Sequence, residues 1–280
     1  MELSLADREA LLQAKLILEH PGFLARAAEL LGHPIERGLL NLPPTVQSVI
    51  VKATQSTLKL GLSLAVASLD RPDARAPKPR PALMWYRVAG GVAGAAGGFF
   101  GLLALPAELP ISTLIILRAI ADVARSEGED LSVLEARMAC LEVLALSGGQ
   151  PESARSAETG YYAARIGLAQ SFKKAVEHVG REGLGKQVAP PVAEWITRVG
   201  AKYSVRVSHK VIAKAIPLVG AASGAAINSL FVQHFQDVAR AHFTIRRLER
   251  AYGAAPVQHA YSQLQWRKLG QTDSGTTPSA

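Results

Sequence analysis

The run Val88–Leu105, VAGGVAGAAGGFFGLLAL, decides how this chain folds. It carries no charge, and Gly90, Gly94 and Gly98 recur at every fourth residue, with Gly97 and Gly101 as a second such pair. On a helix that spacing makes a bare stripe against which another backbone can pack closely. Glycine inside a helix costs roughly 0.5–1 kcal/mol per residue, so close contact or lipid has to compensate.

Working outward, Leu105-Pro106-Ala107-Glu108-Leu109-Pro110 reads as an elbow, followed by a helix with Arg118 and Asp122 at i and i+4. Two readings stay open for residues 88–124. Val88–Leu105 has 18 residues, close to the lower limit for a membrane helix, and the region could insert as a hairpin turning at Pro106–Pro110. An inserted Arg118–Asp122 pair would be costly, which favours a buried helical pair in a peripheral protein. Buried charges need partners, so Glu108 with Arg118, or Arg118 with Asp122, is expected as an internal ion pair.

Upstream, residues 71–81 form a basic, proline-rich linker carrying Arg75, Lys78 and Arg80, and Trp85-Tyr86-Arg87 follows it as an interfacial aromatic pair with a cation. Downstream, Ala215–Gln236 is again free of charge, and Gly220-Ala221-Ala222-Ser223-Gly224 echoes Gly94-Ala95-Ala96-Gly97-Gly98. The echo predicts that the two small-residue stripes face one another. Between them Arg198, Lys202, Arg206, Lys210 and Lys214 stand every fourth residue. A step of four turns a helix position by only about 40°, so they form a slowly curling basic ridge, and this ridge with Arg75, Lys78 and Arg80 of the linker is the surface expected to meet phospholipid.

The chain has 280 residues and a net charge of +8. Its richness in Ala, Leu and Gly and its amphipathic periods predict an all-α multi-helix bundle with the glycine-rich apolar helices packed in its centre. Residues 1–70 supply N-terminal helices, 82–253 the helical core, and 254–280 lose periodicity, which predicts a disordered tail. Helices are read at 4–19, 23–31, from Thr45 to about Leu69, from a capping box at Ser132 to Leu146, from Pro151 to about Val179, and from Asn228 to about Tyr252, with Gly253 closing that last one. The lone Cys140 excludes an internal disulfide, and the start of the chain lacks the order of a signal peptide, so a cytoplasmic location is expected.

Positive charge favours an anionic membrane surface or lipid. Aromatics are not interleaved with the basic residues, which argues against nucleic acid as the partner. No His-Glu-x-x-His, cysteine cluster, phosphate loop, nucleotide fingerprint or Gly-x-Ser-x-Gly elbow is present, so neither cofactor nor metal is implied. The polar residues left for chemistry are Glu108, Arg118, Asp122, Asp237 and His242, which would line a pocket if one exists.

Gly97-Gly98-Phe99-Phe100-Gly101-Leu102 followed by Leu105–Pro110 resembles the signature of the bacterial EcsC family. The resemblance continues through Leu117–Ala124 with Gly128-Glu129-Asp130, Pro217–Asn228, and His242–Glu249 with Tyr252-Gly253. The family takes its name from a gene neighbour of an ABC transporter, and the resemblance implies a link to membrane transport rather than a defined reaction. The reading that results is a non-enzymatic, lipid-interacting accessory protein at the inner membrane, in contact with phospholipid and with a membrane transporter as a further partner. A hydrolase built on the five polar residues, or a soluble carrier holding an apolar ligand between the glycine-bearing helices, is the alternative.

Overall fold

A computed structural model describes residues 3–19, 43–67, 83–100, 105–146, 160–183, 189–215 and 221–264. Among them the only regular elements are nine α-helices. In chain order these are α1 (Leu5–Glu19), α2 (Pro44–Ala67), α3 (Leu83–Phe100), α4 (Leu105–Ser126), α5 (Leu134–Leu146), α6 (Gly160–Glu182), α7 (Pro190–Ala215), α8 (Ala221–Tyr252) and α9 (Ala254–Gln263). The helix read at 23–31, the linker 71–81 and the residues after 264 lie outside the described residues.

At the centre is α5, in which every residue from Ala136 to Leu146 is buried. Its apolar side chains run all the way round, the pattern of a helix enclosed by others. The helices α2, α4, α6, α7 and α8 all contact it.

The most extensive helix pairing is α3 on α8, and glycine makes it possible. A Cβ on Gly94 would lie 2.5 Å from the Gly224 carbonyl oxygen and 2.5 Å from Asn228 Cβ; one on Gly90 would lie 2.6 Å from Val232 Cγ2. Only a bare backbone fits at those distances. Polar clasps then fix the register of the two helices. Asn228 Nδ2 donates to the Gly90 carbonyl, Ser229 Oγ to the Arg87 carbonyl at 2.9 Å, and Arg87 Nε to Gln236 Oε1 at 2.8 Å. Gly220 lies outside the described residues, and of Gly98 only the helical backbone is described.

The expected elbow is instead the opening of α4, which starts at Leu105 and runs through Pro110. Pro106 stands in the first turn, where the missing N–H has no intrahelical partner to lose. Among the described residues no helix is long and apolar enough to cross a membrane.

Nor does order end at Gly253. That residue closes α8 by donating its N–H to the Glu249 carbonyl at 2.9 Å, and its φ of 93°, a left-handed value that glycine adopts freely, starts α9. Val257 and Tyr261, one turn apart, are fully buried and fasten α9 to the core. Lys15 of α1 then caps its end, donating to the carbonyls of Tyr261 and Leu264, each at 2.8 Å. Two apolar anchors in ten residues are too few to register as a period, which is why the sequence reads there as tail.

Candidate functional site

The five polar residues singled out from sequence do not meet at one pocket. Glu108 and Asp122 stand on one face of the continuous helix α4, about 21 Å apart along its axis at 1.5 Å per residue. Asp237 and His242 leave α8 in directions about 140° apart. Two surface grooves among the described residues, of about 490 and 560 Å3, are lined by none of the five.

Glu108 is paired, but not with Arg118, which ten residues of continuous helix carry away from it. Its Oε1 meets Lys210 Nζ at 3.1 Å, with both side chains almost completely buried. The same ammonium donates to Ser112 Oγ at 3.2 Å and lies 5.1 Å from the centre of the Phe231 ring. Alongside, the Thr113 and Tyr203 hydroxyls share a hydrogen bond of 2.9 Å. Charge, hydroxyl and ring together match what a buried ammonium requires.

This takes Lys210 out of the basic ridge. The drift of about 40° per step amounts to about a third of a turn from Arg198 to Lys210, enough to move from water into the core. Along α7 the inward positions are Val199, Tyr203, Val207 and Val211, and Lys210 joins them. Arg198 stays exposed but is paired with Glu194 at 3.0 Å. Lys202 is exposed and Arg206 half-buried; partial burial lowers the pKa of both below the ordinary value. The Lys214 side chain, and Arg75, Lys78 and Arg80 altogether, lie outside the described residues.

A second cluster forms where α3 crosses α4. The Tyr86 hydroxyl donates to Asp122 Oδ2 at 2.6 Å, and Arg125 binds Oδ1 at 2.7 Å. Burial and the neighbouring carboxylate push the Tyr86 phenol up to about 12, while Arg118, exposed beside it, pulls the other way. Asp122 therefore serves as the joint between the two helices.

The third cluster is the richest in charge, and of its members only His242 was singled out in the sequence. Arg165 of α6 grips Glu249 of α8 with two bonds, of 2.7 and 3.1 Å, and Tyr162 donates to the same carboxylate at 3.2 Å. His242 is fully buried, with its Nδ1 2.8 Å from the Tyr161 hydroxyl. Burial, then Arg165 and Arg246, hold its pKa well below the ordinary value, so the ring is neutral at physiological pH. Glu142 of α5 is buried nearby, and burial raises its carboxyl to about 7 against the pull of Arg165, Arg246 and Lys202. Arg246 is itself held by Glu129, at 2.8 Å, and Arg250 joins that carboxylate. The signal that could have found this cluster is the presence of Arg137 and Glu142 among the otherwise apolar residues 136–146 of α5. Charged residues on an enclosed helix must be answered by their neighbours.

Among the described residues, no three His, Cys, Asp or Glu side chains gather as a metal-binding set. A model of the EcsC protein family matches residues 27–248 of the chain. No curated protein matches it, and no solved structure does.

Proposed function

This chain belongs to the EcsC protein family, and we propose that it is a non-enzymatic accessory protein attached peripherally to the inner membrane surface. The observation that carries the proposal is how its polar residues are used. Glu108 binds Lys210 across α4 and α7, Asp122 binds Tyr86 across α4 and α3, and Glu249 binds Arg165 across α8 and α6. These groups hold helices to one another, the role of a scaffold, instead of converging on a reacting atom. Close backbone contact where Gly94 meets Gly224 speaks for packing at that point over an apolar guest held there. A net charge of +8 supports an anionic partner.

The test is co-sedimentation of the full chain with phosphatidylglycerol vesicles at rising ionic strength. Binding that weakens as salt screens the headgroups is expected; a protein that stays in the supernatant at low salt would refute the reading.

A further inference from the structure

We propose that the outer face of α3, made by Met84, Trp85, Val88, Ala89 and Val92, lies in the interface of an anionic bilayer and is the surface by which this protein meets lipid. The inference rests on the membrane-association reading above and supplies its contact surface.

The helix α3 is built inside out. An amphipathic helix of a water-soluble protein turns its large apolar side chains inward. Here Gly90, Gly91 and Gly94 face α8, while Met84 is 78% exposed, Trp85 76%, Val88 49% and Val92 67%. Those positions fall on one side of the helix, at spacings of three, four and seven or eight. Every exposed residue described on α3 is apolar. Small residues against the neighbouring helix and bulky ones outward is the arrangement of a helix that faces lipid. Yet α3 is not long and apolar enough to span a bilayer, so the geometry points to a helix lying along the surface with one face immersed.

Charge selects the kind of surface. No Asp or Glu occurs on α3, and the nearest carboxylate on α4, Asp122, is 2% exposed. Arg118 stands exposed beside the Tyr86 hydroxyl, and in sequence Arg71, Arg75, Lys78 and Arg80 all precede the helix. A cation beside the apolar strip, with more preceding it in sequence, suits phosphate headgroups over acyl chains. Trp85 next to Tyr86 is the aromatic pairing found at the headgroup level.

The test places a polarity-sensitive fluorophore on the full-length Val88→Cys variant, with Lys173→Cys as a control on α6, where that lysine side chain is 79% exposed. Cys140 is buried and its thiol is pushed up to about 12, which keeps it unlabelled. With equal parts phosphatidylglycerol and phosphatidylcholine in the vesicles, the Val88 label should shift to the blue while the Lys173 label should not. Trp85→Ser combined with Val92→Asn should lower vesicle partitioning about tenfold or more. If the protein sediments with vesicles but the Val88 label stays in water, the docking face is wrong while membrane association stands. No sedimentation at all removes both. A shift on raising protein concentration without vesicles would identify a second copy of the chain as the occupant and overturn the assignment to lipid.

Discussion

Two helices each carry a side chain where its surroundings should reject it. On α3 Trp85 stands in water; on α7 Lys210 stands in the core. The lysine is answered within the chain, by the Glu108 carboxylate, the Ser112 hydroxyl and the Phe231 ring. The tryptophan and the valines beyond it are left facing water. A misfit that the fold satisfies belongs to architecture, whereas one it leaves open is where a second molecule has something to gain. That distinction separates α7, which sequence favoured as the membrane surface, from α3, which we propose for that role.

The sharpest way to break the comparison is at Glu108. Glu108→Ala removes the carboxylate facing a buried ammonium and should cost about 3–5 kcal/mol in urea denaturation. The double variant Glu108→Leu with Lys210→Met puts apolar atoms at both places and should regain most of that loss. If the double variant is as unstable as the single one, the pair has a role beyond mutual neutralisation and the contrast with α3 fails.

The next effect lies in the contact that gives α3 its reversed orientation. Gly94→Ala places a Cβ 2.5 Å from both the Gly224 carbonyl oxygen and Asn228 Cβ, so the helices must part, at about 1–3 kcal/mol. Gly167→Ala on α6, where an added Cβ would meet nothing within 4 Å, should instead gain about 0.5–1 kcal/mol, as alanine does in an open helix. Equal effects at the two sites would deny the close approach.

This contact was legible from sequence, since period-four glycines in two uncharged stretches specify bare surfaces and bare surfaces seek each other. The helical class was legible for the same kind of reason. Partner choice was not. Lys210 looks like its neighbours Lys202 and Arg206 in any one-dimensional pattern, and only the accumulated rotation along α7 takes it inside. Likewise Glu108 bonds a residue 102 positions away in sequence, while the local candidate Arg118 is held off by the rigidity of α4. Local spacing indicates which residues share a face but not what that face will meet.

Glu142 allows a test by pH. Its carboxyl is raised from 4.5 to about 7 by burial, so between those values the folded state holds a proton that the unfolded chain releases. The stability it contributes is complete below pH 4.5 and is lost as pH rises through 7. Glu142→Gln keeps the neutral shape and should match the parent at pH 4.5 but exceed it by about 1–3 kcal/mol at pH 8, in paired thermal melts. His209, lowered to about 4 by burial and by Arg206, works in the opposite sense, weakening the fold as pH falls from 6.5 towards 4. It is common to both proteins and cancels in the comparison. A difference that does not grow with pH would mean the Glu142 carboxylate is stabilised as an anion by Arg165, Arg246 and Lys202.

The smallest effect on stability is expected at the residue with the largest expected effect on binding. Trp85 is 76% exposed and the core does not rest on it, so Trp85→Ser should leave the free energy of unfolding within about 0.5 kcal/mol of the parent. An indole left in water gains nothing for the fold, so replacing it removes only what a partner would use. A loss of 2 kcal/mol or more, about what burying a large apolar side chain contributes, would show that Trp85 is packed in solution. The face of α3 would then be closed by the chain itself, as Lys210 is by Glu108, and the outward misfit would become one more internal one.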